Sequence, residues 1–131
     1  MKALALVLMT LMSGITDASV VYYCSDSITV GIEPDEDNRF QRYKAERFKI
    51  GVDWNLPSMN SIGIYLDAFI PTKCSLDEGE NGLNIYCSNS LGVSMTLNQE
   101  TLRYNRSFIF NMHGEAEQDT LILATGTCEQ F

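Results

Sequence analysis

Apolar residues recur at every second position along most of this chain, and no long stretch keeps the spacing of an amphipathic helix. In Glu46 to Trp54, Phe48, Ile50, Val52 and Trp54 point one way while Lys49, Gly51 and Asp53 point the other, the pattern of a half-buried strand. Similar alternation runs through Val20 to Cys24, Ile28 to Ile32, Ile62 to Ile70, Leu83 to Cys87, Leu91 to Leu97, Leu102 to Met112 and Leu121 to Cys128. Turn-forming residues separate these runs: Ser25-Asp26-Ser27, Asn55-Leu56-Pro57-Ser58, Asp77 to Gly82, Asn98-Gln99-Glu100 and His113-Gly114. About seven to nine short strands with short links predict an all-β fold, a single antiparallel β-barrel or β-sandwich. There is no internal repeat, linker or second domain in the pattern.

The N-terminus reads differently. Met1-Lys2 gives a positive start, Ala3 to Met12 is continuously apolar, and Thr16-Asp17-Ala18 places small residues three and one before a cut. Residues 1–18 are therefore expected to be a cleaved signal peptide, leaving 19–131 as a secreted β domain of 113 residues. An uncleaved anchor would need about 20 apolar residues to span a bilayer, and this run is shorter. Val21-Tyr22-Tyr23 before Cys24 lacks the small residues of a lipid-attachment site. The expected product is secreted or periplasmic, not inserted in a membrane, and monomeric.

Export gives meaning to the four cysteines, Cys24, Cys74, Cys87 and Cys128. An even number in an oxidising compartment favours two disulfides, and the absence of any C-x-x-C pair speaks against a metal or exchange site. Four cysteines allow three connectivities. We expect Cys74 with Cys87, stapling the Asp77 to Gly82 turn, and Cys24 with Cys128, tying the first strand to the last. No metal and no cofactor is expected.

Charge narrows the partners. Formal net charge is −8, which disfavours nucleic acid and anionic membrane surfaces and would steer a basic partner inward. The Glu33-Pro34-Asp35-Glu36-Asp37-Asn38 run lacks the glycine and distal glutamate of a calcium loop and reads as solvated. Beside it, Arg39, Arg42, Lys44, Arg47 and Lys49 are five of the eight positive charges that remain after cleavage. They read as partners of the acidic loop, or as a local basic patch for an anion or glycan.

One residue breaks the alternation. Following Leu102 and Tyr104 towards Phe108 puts Arg106 on the apolar face, where an unpaired charge is costly. Either a bulge near Asn105 flips the register, or Arg106 reaches a buried carboxylate or a polar cavity that could take an anionic ligand. Tyr65, Phe69 and Tyr86 lie opposite the main apolar faces of their strands and could form an exposed aromatic binding patch. Together with Arg106 they are the candidate ligand-binding residues. His113, the one histidine, has no nucleophile elbow or other triad context, and no catalytic residue is assigned. Asn105-Arg106-Ser107 matches a glycosylation sequon by pattern.

Val21-Tyr22-Tyr23-Cys24, a polar turn and Ile28-Thr29-Val30-Gly31-Ile32 resemble the first hairpin of the membrane-bound c-type lysozyme inhibitor family. That resemblance implies a small periplasmic barrel with a disulfide to its far end. The family's inhibitory S-G-x-x-Y segment and lipid-attachment cysteine have no counterpart, so no functional residue is carried over. More broadly, the Arg47-Phe48-Lys49 strand, the Thr101-Leu102-Arg103-Tyr104 hairpin and the Gly126 to Phe131 ending look like small exported bacterial β-barrel proteins of unassigned function. The expectation is a non-enzymatic binding or inhibitor-type protein whose acidic surface engages a basic protein such as a cell-wall hydrolase. Its alternative is a lipocalin-like barrel holding a small apolar or anionic ligand near Arg106.

Overall fold

The computed structural model describes residues 19–33, 39–62, 73–90, 92–111 and 119–131. Nine strands fill this part of the chain: β1 (Val20–Glu33), β2 (Arg39–Arg42), β3 (Arg47–Asp53), β4 (Ser58–Ile62), β5 (Lys73–Gly79), β6 (Gly82–Ser88), β7 (Ser94–Asn98), β8 (Arg103–Asn111) and β9 (Asp119–Gln130). Among the described residues there is no helix. The strands form one antiparallel sheet in the order β4-β3-β1-β9-β8-β7-β6-β5, with β2 paired to the far end of β1. The sheet curls until β4 and β5 approach each other without ladder pairing, giving a nearly closed barrel.

Alternation places the core as expected. Phe48, Ile50 and Val52 of β3, Ile85 and Cys87 of β6, and Met95 and Leu97 of β7 all point inward and are buried with Tyr22, Met59 and Tyr104. Deleting the methylenes of such a side chain costs about 2 to 5 kcal/mol. The Trp54 indole N–H donates to the Tyr22 hydroxyl at 3.0 Å, so the end of β3 is fastened to the start of β1.

Both disulfides form as expected, and each links directly opposed residues of neighbouring strands. Cys74–Cys87 clamps the β5–β6 hairpin at the sheet edge. Cys24–Cys128 joins β1 to β9 in the middle of the sheet, closing a sequence separation of 104 residues. A loop of that length is worth about 4 to 5 kcal/mol on a chain-entropy estimate, against about 3 kcal/mol for a short one.

Four local expectations are corrected. Ser25-Asp26-Ser27 is no turn: β1 runs through it as a single strand, and the ladder with β9 shifts between Asp26 and Ile28, leaving Ser27 as a bulge. The bulge reverses the facing of everything beyond it, so Thr29 and Gly31 are buried while Ile28 is exposed. Ile62 faces outward, because β4 starts at Ser58 and it is Met59 that is buried. Leu102 belongs to the β7–β8 turn, with a left-handed φ of 55°, rather than to a strand. The basic Arg39–Arg42 segment forms β2, where no strand was expected. Most of the acidic loop beside it lies outside the described residues.

Candidate functional site

Two groups of polar residues lie on opposite faces of the sheet, one inside the barrel from β8 and β1 with Glu46 before β3, and one outside on β3, β1 and β9. The inner group answers the question posed by Arg106. β8 continues from Tyr104 through Arg106 without any bulge at Asn105, pairing residue by residue with both β7 and β9. Alternation therefore carries the guanidinium inward, where Arg106 is 4 % exposed.

Its partner is Asp26, 6 % exposed, two strands away across β9. Arg106 grips the carboxylate with two donors, Nε to Oδ1 at 3.2 Å and Nη2 to Oδ2 at 2.5 Å. Nη2 also donates to Glu46 Oε2 at 2.9 Å. The Tyr104 hydroxyl donates to Asp26 Oδ1 at 2.6 Å, the Thr29 hydroxyl to Oδ2 at 3.0 Å and the Glu46 amide to Oδ2 at 3.1 Å. Rings of Phe48 and Phe108 lie 4.5 and 4.9 Å from the guanidinium carbon, so the cation has aromatic neighbours as well as an anion. Nη1 is buried and makes no hydrogen bond among the described residues.

Local sequence explains how these groups meet. Tyr104, Gly126 and Asp26 form one row across β8, β9 and β1, and Arg106, Ala124 and Thr29 form the next. Small residues in β9 leave space for long side chains of β8 to cross to β1. At Gly126 a Cβ would collide with the Ser25 carbonyl and the Tyr104 hydroxyl. The bulge at Ser27 then puts Asp26 and Thr29 on the same inner face, within reach of each other.

Electrostatics follow from this packing. Burial alone would raise the Asp26 carboxyl, but hydrogen bonds from Arg106, Tyr104 and the Glu46 amide, with the Arg106 charge, outweigh it and hold the group below its ordinary value. Burial, then the bond to the Asp26 anion, pushes the Tyr104 phenol up. The cluster is thus a buried, hydrogen-bonded ion pair in which Arg106 Nη1 is left without a hydrogen bond among the described residues. It is structural in kind.

The outer group forms a groove of about 790 Å³ on the solvent side of β3, β1 and β9. Two cross-strand rows make it: Lys49, Tyr23 and Glu129, then Arg47, Ser25 and Thr127. Lys49 Nζ sits 4.7 Å over the Tyr23 ring, and Phe131 packs against the same ring at 5.2 Å between centroids. The Phe131 amide donates to the Val21 carbonyl, which holds that ring at the groove's end. Arg103 of β8 lies in register with Thr127 and extends the second row. Sequence alternation puts Lys49 and Arg103 on the outer face, but nothing in it says which outer-face residues meet in one groove.

Of the other candidates, Tyr86 is 46 % exposed on the outer face of β6, while Tyr65 and Phe69 lie outside the described residues. His113 also lies outside them. Asn105 of the sequon is exposed on β8. Among the described residues no group of His, Cys, Asp and Glu is arranged to hold a metal ion, and no helix is long and apolar enough to cross a membrane.

Comparison with family models, with curated proteins and with solved structures finds no match to this chain.

Proposed function

We propose that this chain is a non-enzymatic binding protein of inhibitor type, acting outside the cytosol, that engages a basic protein such as a cell-wall hydrolase through one acidic end of the barrel. Two disulfides fit an oxidising compartment. The observation that carries the reading is the pair of turns β5–β6 and β7–β8. They bring Asp77, Glu78, Glu80 and Glu100 to one end, all exposed, with no cation paired to them among the described residues.

Both turns are held in place. Cys74–Cys87 clamps the first. The Asn98 side chain bridges the two, donating to the Asn81 carbonyl and to Asn84 Oδ1 at 3.0 and 2.9 Å. Asn98 Oδ1 in turn accepts from the Glu100 and Thr101 amides. A charged surface fixed before binding loses little conformational entropy on association, and like charge gathered at one end accelerates encounter with an opposite charge.

The lipocalin-like alternative has less support. The inward side chains of β3, β6 and β7 are buried against one another, and the Arg106 charge that would attract an anion is matched by Asp26 and Glu46.

A c-type lysozyme, as a basic cell-wall hydrolase, provides the test. Association is expected at low ionic strength and should weaken as salt shortens the Debye length. The E78Q/E80Q/E100Q variant should slow association by about tenfold, as loss of electrostatic steering does. No association at low ionic strength would remove this partner.

A further inference from the structure

We propose that the outer groove of β3, β1 and β9 is a binding site for an anionic oligosaccharide, one whose pyranose rings carry carboxylate or sulfate groups. This goes beyond the acidic-end reading and uses different residues.

On a chain of net charge −8, the groove holds Arg47 and Lys49, with Arg103 beside it in register with Thr127, and none of the three is ion-paired among the described residues. Arg47 and Lys49 are alternate residues of one strand, so their side chains leave the sheet about 7 Å apart. Arg103 stands three strands from Arg47, about 14 Å across the sheet. Cations spread at these intervals match acid groups repeated along a chain rather than one small anion.

Between the cations the groove lining is aromatic and hydroxylated. Phe131, 90 % exposed and tilted at 56° to the Tyr23 ring it packs against, offers an apolar ring face on which the C–H bonds of a pyranose can pack. Ser25 and Thr127 put hydroxyls on the groove floor, each able to donate and accept. Glu129 accepts only, which suits a sugar hydroxyl. A guanidinium such as that of Arg47 binds a carboxylate or sulfate through two parallel N–H bonds. The volume falls among those of small-ligand sites, about 300 to 1,000 Å³.

Single-stranded nucleic acid also favours aromatic and cationic grooves. Glu129 within this groove and the acidity of the whole chain disfavour a phosphate on every residue of the ligand.

The experiment is calorimetric titration of the oxidised protein with four probes of similar length at low salt: an oligogalacturonate, a sulfated dextran oligomer, a neutral dextran oligomer and an oligothymidylate. At least one anionic oligosaccharide should bind about tenfold or more tightly than neutral dextran, the scale of one charge-assisted hydrogen bond. Whether the carboxylated or the sulfated probe wins identifies the acid group. R47Q/K49Q should weaken that binding about tenfold or more, and F131A should weaken it less. Phe131 is 90 % exposed, so its truncation leaves the fold intact and tests the groove by itself. Failure of both anionic oligosaccharides to bind, equal binding of neutral dextran, tighter binding of the oligothymidylate, or indifference to R47Q/K49Q would overturn the proposal.

Discussion

Arg106 and Arg47 present the same guanidinium to opposite surfaces of one sheet, and only the outer one is open to a ligand. Arg106 is enclosed and gripped by Asp26, with Glu46 beside it, between the rings of Phe48 and Phe108. Arg47 stands in the groove opposite Ser25 with no anion paired to it among the described residues. A charge on an apolar face therefore need not mark a site. Here it marks a crossbrace between β8 and β1, over the small residues of β9.

The sharpest way to break that contrast is R106M. Methionine keeps an unbranched stem between the two rings, so the substitution removes the charge with little loss of packing. It leaves the Asp26 carboxylate buried without its cation, which should cost about 3 to 5 kcal/mol in urea unfolding. The double variant D26N/R106M should be distinctly more stable than the sum of the singles, because neither charge is then left alone. A loss below about 1 kcal/mol for R106M would mean that water already solvates the pair, and the inner cluster would become a candidate site after all.

G126A probes the same crossbrace without touching a charge. Added next to the Ser25 carbonyl, a methyl group must push β9 from β1 or the Tyr104 hydroxyl from Asp26. Overpacking of this kind should cost about 1 to 3 kcal/mol by urea unfolding. Combined with Y104F, part of the cost should vanish, since the hydroxyl that the methyl meets has gone. Strict additivity of the two would place the strain entirely at the backbone of Ser25.

Much of the fold follows from periodicity. Strands β3, β6, β7 and β8 carry clean alternation, and Phe48, Ile50, Val52, Ile85, Cys87, Met95, Leu97 and Tyr104 are buried as it names them. The inward facing of Arg106 is one of the two readings that alternation left open, and the unbroken β8 ladder decides for it over a bulge at Asn105. Its partner is not legible, because Asp26 lies 80 residues away and sits in a polar triplet that has the composition of a turn. A bulge and a turn use similar residues, and only the ladder with β9 separates them. One signal was available: Gly126 and Ala124 alternate inward on β9, where larger apolar residues would be expected unless neighbours fill the space. The groove escaped for a different reason. Its residues are ordinary outer-face residues, brought together only by the pairing of β3, β1 and β9.

The smallest effect should come from R47M, and its smallness is the point. Arg47 is exposed and makes no ion pair among the described residues. Methionine retains most of the apolar stem that an arginine lays along a surface. Surface substitutions away from caps, charge networks and packed cores change stability by no more than about 0.5 kcal/mol. The same urea measurement applied to R106M and R47M thus sets one arginine against the other under identical conditions. Should R47M cost more than about 1 kcal/mol, Arg47 would have a structural partner of its own. The groove would then lose the free cation on which its recognition of an acid group depends.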